Sequence, residues 1–168
     1  MMRVYVPATL AMLQQLVADR MIHARSGTAF AVTPTLREAY AHGDDEELAE
    51  VALGEAALAS LRLLAGGTGD LPPRRVVLVA DAPDASAVTF RPDLDDAVVR
   101  LAGPIGYDDV VAAYVDNAAA EAAVVAAVEV IDAADLGDED AELTVGDAQD
   151  HDLAWYAPQE LPFLLDLL

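Results

Sequence analysis

Hydrophobic positions along the chain change period several times, and each change marks an element. Arg3-Val4-Tyr5-Val6 is a short β-prone run closed by Pro7. After Thr9, Leu10, Leu13, Leu16 and Val17 recur at helical spacing, which predicts a helix ending before Ser26-Gly27. Thr28–Thr33 reads as a second strand, and Thr33-Pro34 as a helix start, with the threonine as cap and proline at the first helical position. That helix stops at Gly43.

A longer helix follows, running to Leu64 or Ala65. Asp44 with Glu47 three residues on makes an acidic capping pair, and the four carboxylates 44–47 favour a positive helix N-terminus. Leu53, Ala57, Leu61 and Leu64 are its expected buried stripe, flanked by Val51 and Leu58, and Gly66-Gly67 its stop. Arg74–Ala80 is a continuous apolar run behind two arginines, as expected of a strand covered on both faces. Ala87–Arg91 and Ala97–Leu101 read as further strands around the acidic turn 93–96.

Gly106–Asp132 admits two readings. One is a single helix. The preferred one is a helical turn at Tyr107–Val111, a strand at Ala112–Asp116 and a helix at Ala118–Ile131, because Asp116-Asn117 makes a natural helix start. Residues 135–152 are acidic and poor in large apolar residues, and are expected to form an exposed loop. Leu153–Tyr156 is the last expected strand, before a helix containing Gln159–Leu168 that breaks or restarts at Pro162. The order predicts one globular domain over residues 1–168, of the α+β or mixed α/β class: one mixed sheet of about five to seven strands with helices packed on it.

Composition narrows the chemistry. The 168 residues contain no cysteine and no lysine, so a thiol nucleophile, a cysteine zinc site, a lysine Schiff base and a P-loop lysine are excluded. Alanine supplies 35 residues, so the core relies on close helix contacts more than on aromatic anchors. The net charge of -21 is unevenly spread: residues 1–43 are slightly basic, and 16 carboxylates with no arginine follow Arg100. Such a field repels phosphate backbones and anionic lipid, so neither a nucleic-acid nor a membrane partner is expected. Asp exceeds Glu by 20 to 10 and Val exceeds Ile by 19 to 3, the pattern of a GC-rich coding sequence. High-salt adaptation and a basic partner protein are the competing explanations of the acidity.

Arg3 and the run to Ala18 have the outline of a signal peptide, but Pro7, Gln14 and Gln15 interrupt it, and no small-residue cleavage site follows before Asp19. A cytoplasmic location is expected. The one glycine-rich loop, Gly66-Gly67-Thr68-Gly69, follows a helix instead of opening one, so it reads as a helix stop and not a phosphate cradle. None of the three serines sits in a nucleophile elbow, and Ser60 reads as a packed small residue in the long helix. His23, His42 and His151 form no metal-ligand spacing. Asp138–Glu142 offers oxygen ligands but lacks the glycine of a calcium loop in either frame, so no metal and no cofactor is expected. Arg74-Arg75 is expected to flank its strand and pair with carboxylates.

Functional side chains are densest near the C-terminus. His151, Trp155, Tyr156, Gln159 and Glu160 lie within ten residues and include the only tryptophan. A cleft lined by Trp155 and Tyr156, with Glu160 or His151 as a base, could hold a small polar molecule. The competing reading is that the two aromatic residues anchor the C-terminus to an alanine-rich core.

The stretches Arg3-Val4-Tyr5-Val6-Pro7-Ala8-Thr9-Leu10, Phe30-Ala31-Val32-Thr33-Pro34 and Trp155-Tyr156-Ala157-Pro158-Gln159-Glu160-Leu161 resemble an uncharacterised actinobacterial family of unknown function. The resemblance covers essentially the whole chain. It implies a lineage and a single-domain extent, with no established activity and no catalytic residue to carry over. The expectation is a small cytoplasmic protein without a catalytic constellation that acts through protein contacts, with a basic protein or a second copy as partner. A small-ligand binder or enzyme built on the Trp155-Tyr156 segment is the alternative.

Overall fold

A computed structural model describes residues 1–168. Seven strands form one sheet: β1 (Met2–Ala8), β3 (Thr28–Phe30), β4 (Val76–Ala82), β5 (Val88–Phe90), β6 (Val98–Leu101), β8 (Val110–Val115) and β9 (Ala154–Tyr156). Their spatial order is β5-β6-β3-β1-β4-β8-β9. Every ladder is antiparallel, so the fold is α+β, and the expected mixed sheet is corrected to a wholly antiparallel one. The helical connections over residues 9–27 and 116–153 each return the chain to a neighbouring strand that runs antiparallel. A separate ribbon joins β2 (Met21–Ile22) to β7 (Ile105–Gly106), two-residue strands too short to leave any periodicity in the sequence.

β4 occupies the central place that its unbroken apolar run predicts, between β1 and β8. Alternation divides its side chains between two cores. Val76, Leu78 and Ala80 pack on one face with α1 (Leu10–Asp19) and α6 (Leu161–Asp166). Val77 and Val79 pack on the other with α2 (Pro34–Ala39) and α3 (Asp45–Leu64). A third cluster lies among α3, α4 (Glu121–Asp135) and α5 (Glu139–Gln149).

Asp44 caps α3 as expected, accepting the Glu47 amide at 2.8 Å. The buried stripe is turned from the expected one: Leu48, Ala52, Ala56, Ala57, Ser60, Leu61 and Leu64 are inside, while Leu53 is only partly buried. The sheet under the first half of the helix already carries Tyr5, Phe30, Val77 and Val79, so small alanines face it and allow a close approach. Ser60 is a packed small residue, and it is also a pin. Its hydroxyl donates to the Ala8 carbonyl at 2.8 Å and accepts the Val76 amide at 3.0 Å, joining α3 to the adjacent ends of β1 and β4.

Between residues 106 and 135 the structure follows the broken reading: a 3-10 turn at Tyr107–Asp109, then β8, then α4. The expected loop over 135–152 is corrected, because most of it is α5. Asp138 caps that helix by accepting the Ala141 amide at 2.9 Å, and acids fill its first turn. Its buried side is Ala141, Val145 and Ala148, packed against α4. A stripe made of two alanines and one valine is nearly silent in hydropathy, yet it suffices where the neighbouring helix is equally alanine-rich. No helix is long and apolar enough to cross a membrane.

Candidate functional site

The site is organised by two charges at the ends of neighbouring buried strands. Arg75 precedes β4, Asp116 follows β8, and the β4–β8 register brings them side by side. Arg75 is 1% exposed and Asp116 fully buried. One Asp116 oxygen accepts both the Arg75 backbone amide and Nε at 2.8 Å, and the other accepts an Nη at 2.8 Å. The same guanidinium donates to the Gln149 side-chain oxygen and to the His151 carbonyl, each at 2.8 Å. Gln149 in turn donates to the Gly54 carbonyl at 3.2 Å. One arginine therefore ties β4, β8, α3, α5 and the turn into β9. Arg74, its neighbour, pairs with Glu121 at the start of α4.

Above this network, between α3 and the turn into β9, lies an open cleft of about 270 Å³. Its lining includes Glu50, Leu53, Arg75, Gln149, His151 and Asp152. Leu153, just before β9, closes one side, and Trp155 pairs with Tyr114, which packs in the same cluster as Leu153 and so sets Trp155 on that face of the sheet.

The five residues singled out from the sequence do not converge on one point. His151 lines the cleft, while its carbonyl is committed to Arg75. Trp155, opposite Tyr114 in the β8–β9 ladder, is 56% exposed. Tyr156 faces the other way, packing against the core beneath α1 and α6, as alternation along a strand requires. Gln159 borders a separate shallow hollow with Arg20, Tyr107 and Asp108. Glu160 accepts the Ala157 amide at 3.1 Å, which closes the turn before α6. Arg75 pairs with a carboxylate as expected of the Arg74-Arg75 pair, whereas Asp116, Gln149 and Tyr114 are site residues that the sequence reading missed. The available signal was a charged residue at the outer end of each of two adjacent apolar runs.

Seven of the nine arginines are in ion pairs, Arg25 and Arg100 being the others. Arg3 holds the Asp81 carboxyl below the usual range through a hydrogen bond, and Arg62 does the same for Asp135. Folded-state lowering of this kind adds stability above the ordinary Asp range that is lost as pH falls through it.

Glu55 on α3 has the opposite sign. Burial, reinforced by the charge of Asp95, pushes its carboxyl up. Its ionised form therefore opposes folding at neutral pH, and its contribution is most favourable below the ordinary Glu range. Glu55→Gln should raise the urea midpoint at pH 7, with the gain shrinking toward about pH 4, where wild-type Glu55 takes up its own proton. A variant less stable at pH 7 would contradict this.

No curated protein and no solved structure matches the chain. Residues 2–165 match the model of a family of unknown function, DUF6912, and with nearly its whole length inside that match the chain belongs to this family.

Proposed function

We propose that this protein works by binding a basic partner protein through the face formed by Trp155, Tyr114 and the adjoining cleft. The observation that carries the reading is Trp155 itself, the only tryptophan, 56% exposed on a three-residue edge strand. A large aromatic left in water on a sheet edge is a usual anchor of a protein interface. The charge of the partner follows from the ion pairs. Most arginines are consumed internally, so the surface is left with a large surplus of carboxylates. Helices α3, α4 and α5 with their caps carry sixteen acids against the single base Arg62. Complementarity then favours a cationic surface, with association that weakens as salt rises. The same acidity and the arginine-only, Val- and Asp-rich composition support a place in the cytoplasm of an actinobacterial cell.

Affinity capture on the immobilised full chain tests this. A basic polypeptide should be retained at low salt, released at high salt and lost with Trp155→Ala, while Phe163→Ala, another exposed aromatic on α6, retains it. The Trp155 truncation should weaken the isolated complex by about thirtyfold. It should leave folding stability within about 0.5 kcal/mol. Identical capture by the wild type and Trp155→Ala would overturn the reading.

The cleft supports a second reading, a small polar ligand held near Arg75, Gln149 and His151. A Cβ added at Gly54 meets nothing within 4 Å, so Gly54→Leu would fill the cleft and abolish ligand binding while leaving the Trp155 contact intact.

A further inference from the structure

The opposite face of the sheet carries another cleft, unrelated to Trp155. β4 and β5 are separated in the sheet by β1, β3 and β6, so the connection 83–87 has to cross the sheet to join them. Beside that crossing the surface is indented by a cavity of about 140 Å³. Val4, Ala80, Val88, Leu101 and Ile105 form an apolar lining, and the loop 102–104 makes one wall.

The charged residues lining it are Asp81, Asp84 and Asp109, with no arginine or histidine among them. Asp81 is on the other face, with its carboxylate engaged by Arg3 at 2.9 Å. Asp84 and Asp109 belong to none of the ion pairs that absorb the arginines. Asp84 is fixed at the cavity by two bonds from Ser86, through the amide at 2.9 Å and the hydroxyl at 2.6 Å. Asp109 sits in the 3-10 turn before β8 and is only partly exposed.

An apolar pit bordered by two carboxylates outside every salt bridge, Asp84 on the exposed rim within the field of the N-terminal ammonium and Asp109 half-buried, suits an occupant with a short hydrocarbon body and one positive end. We infer that this cleft binds a small primary alkylamine as its ammonium ion, with the chain against Val4, Val88 and Leu101 and the nitrogen at Asp109 and Asp84. At protein packing density the cavity holds roughly six or seven non-hydrogen atoms, which limits the alkyl chain to about four to six carbons. An alcohol of equal length would gain the apolar contact without the charge-assisted hydrogen bond, and a carboxylate would be repelled.

The test is a titration of the full-length protein, labelled with nitrogen-15, with n-pentylamine, n-pentanol and pentanoate at pH 7 and low salt. n-Pentylamine should give saturable amide shifts at Asp84, Ala87, Leu101 and Gly103. n-Pentanol should bind about tenfold more weakly and pentanoate should give no saturable shift. Asp109→Asn, which keeps the side-chain shape, should reduce amine affinity about tenfold and leave alcohol affinity unchanged. Ala102→Leu, on the exposed wall, should block both ligands in a protein whose remaining spectrum is unchanged. Trp155→Ala should bind the amine like wild type, which separates this cleft from the partner face. Equal binding of amine and pentanoate, amine binding untouched by Ala102→Leu, or no saturable shift at all would overturn the inference.

Discussion

Asp116→Ala is expected to lower the unfolding free energy by about 3–5 kcal/mol, because it leaves the Arg75 guanidinium buried without its counter-charge. Asp116 accepts three hydrogen bonds from Arg75 in a position with no access to water. The remaining acceptors, Gln149 and the His151 carbonyl, are neutral and cannot replace a charge. Arg75→Met paired with Asp116→Ala should recover much of the loss, since removing both charges also removes the cost of keeping them from water. Urea unfolding at pH 7 reads all three proteins on one scale. A single Asp116→Ala variant within about 1 kcal/mol of wild type would mean that water reaches the pair.

Gly27→Ala is the second substitution with a large expected effect. Gly27 has φ of +68°, and a Cβ built there would lie 2.9 Å from the Leu101 carbonyl oxygen. The left-handed conformation costs an L-residue about 1–2 kcal/mol, and displacing a strand carbonyl adds roughly 1–3 kcal/mol. A total loss of about 2–4 kcal/mol is expected in the same unfolding measurement. The damage should be local to β3 and β6, because Arg100 on β6 donates to the Ser26 carbonyl at 3.1 Å and ties this turn to the strand. Hydrogen exchange would show faster opening at Thr28–Phe30 and Val98–Leu101 than at β4. Uniform acceleration across the sheet would contradict that localisation.

What could be read in advance follows the size of the side chains. β4 and α3 announce themselves through long apolar runs and clear caps, and both stand where the pattern puts them. α5 was hidden because Ala141 and Ala148 supply most of its buried face, while the acids around them make the segment look like a solvated loop. The same acids favour the helix once Asp138 caps it and they crowd its first turn. The sheet's antiparallel order depends on pairings between strands up to about eighty residues apart, which no local period encodes. At the site, sequence proximity suggested a cluster at 151–160. Alternation along β9 sends Trp155 and Tyr156 to opposite faces, and Glu160 is spent on closing a turn. The groups that do converge, Arg75, Asp116 and Gln149, are separated by up to 74 residues and meet only through strand register and helix packing. Charge told more than it first promised. The internal pairing of most arginines turns a compositional bias into a surface with a large surplus of carboxylates.

The account rests on Trp155 standing in water within that negative surface, and collisional quenching of its fluorescence measures this directly, since no other tryptophan contributes. Acrylamide should quench the emission strongly, and caesium should quench it more effectively than iodide at equal ionic strength, because carboxylates attract the cation and repel the anion. Weak acrylamide quenching, or iodide as effective as caesium, would contradict the account.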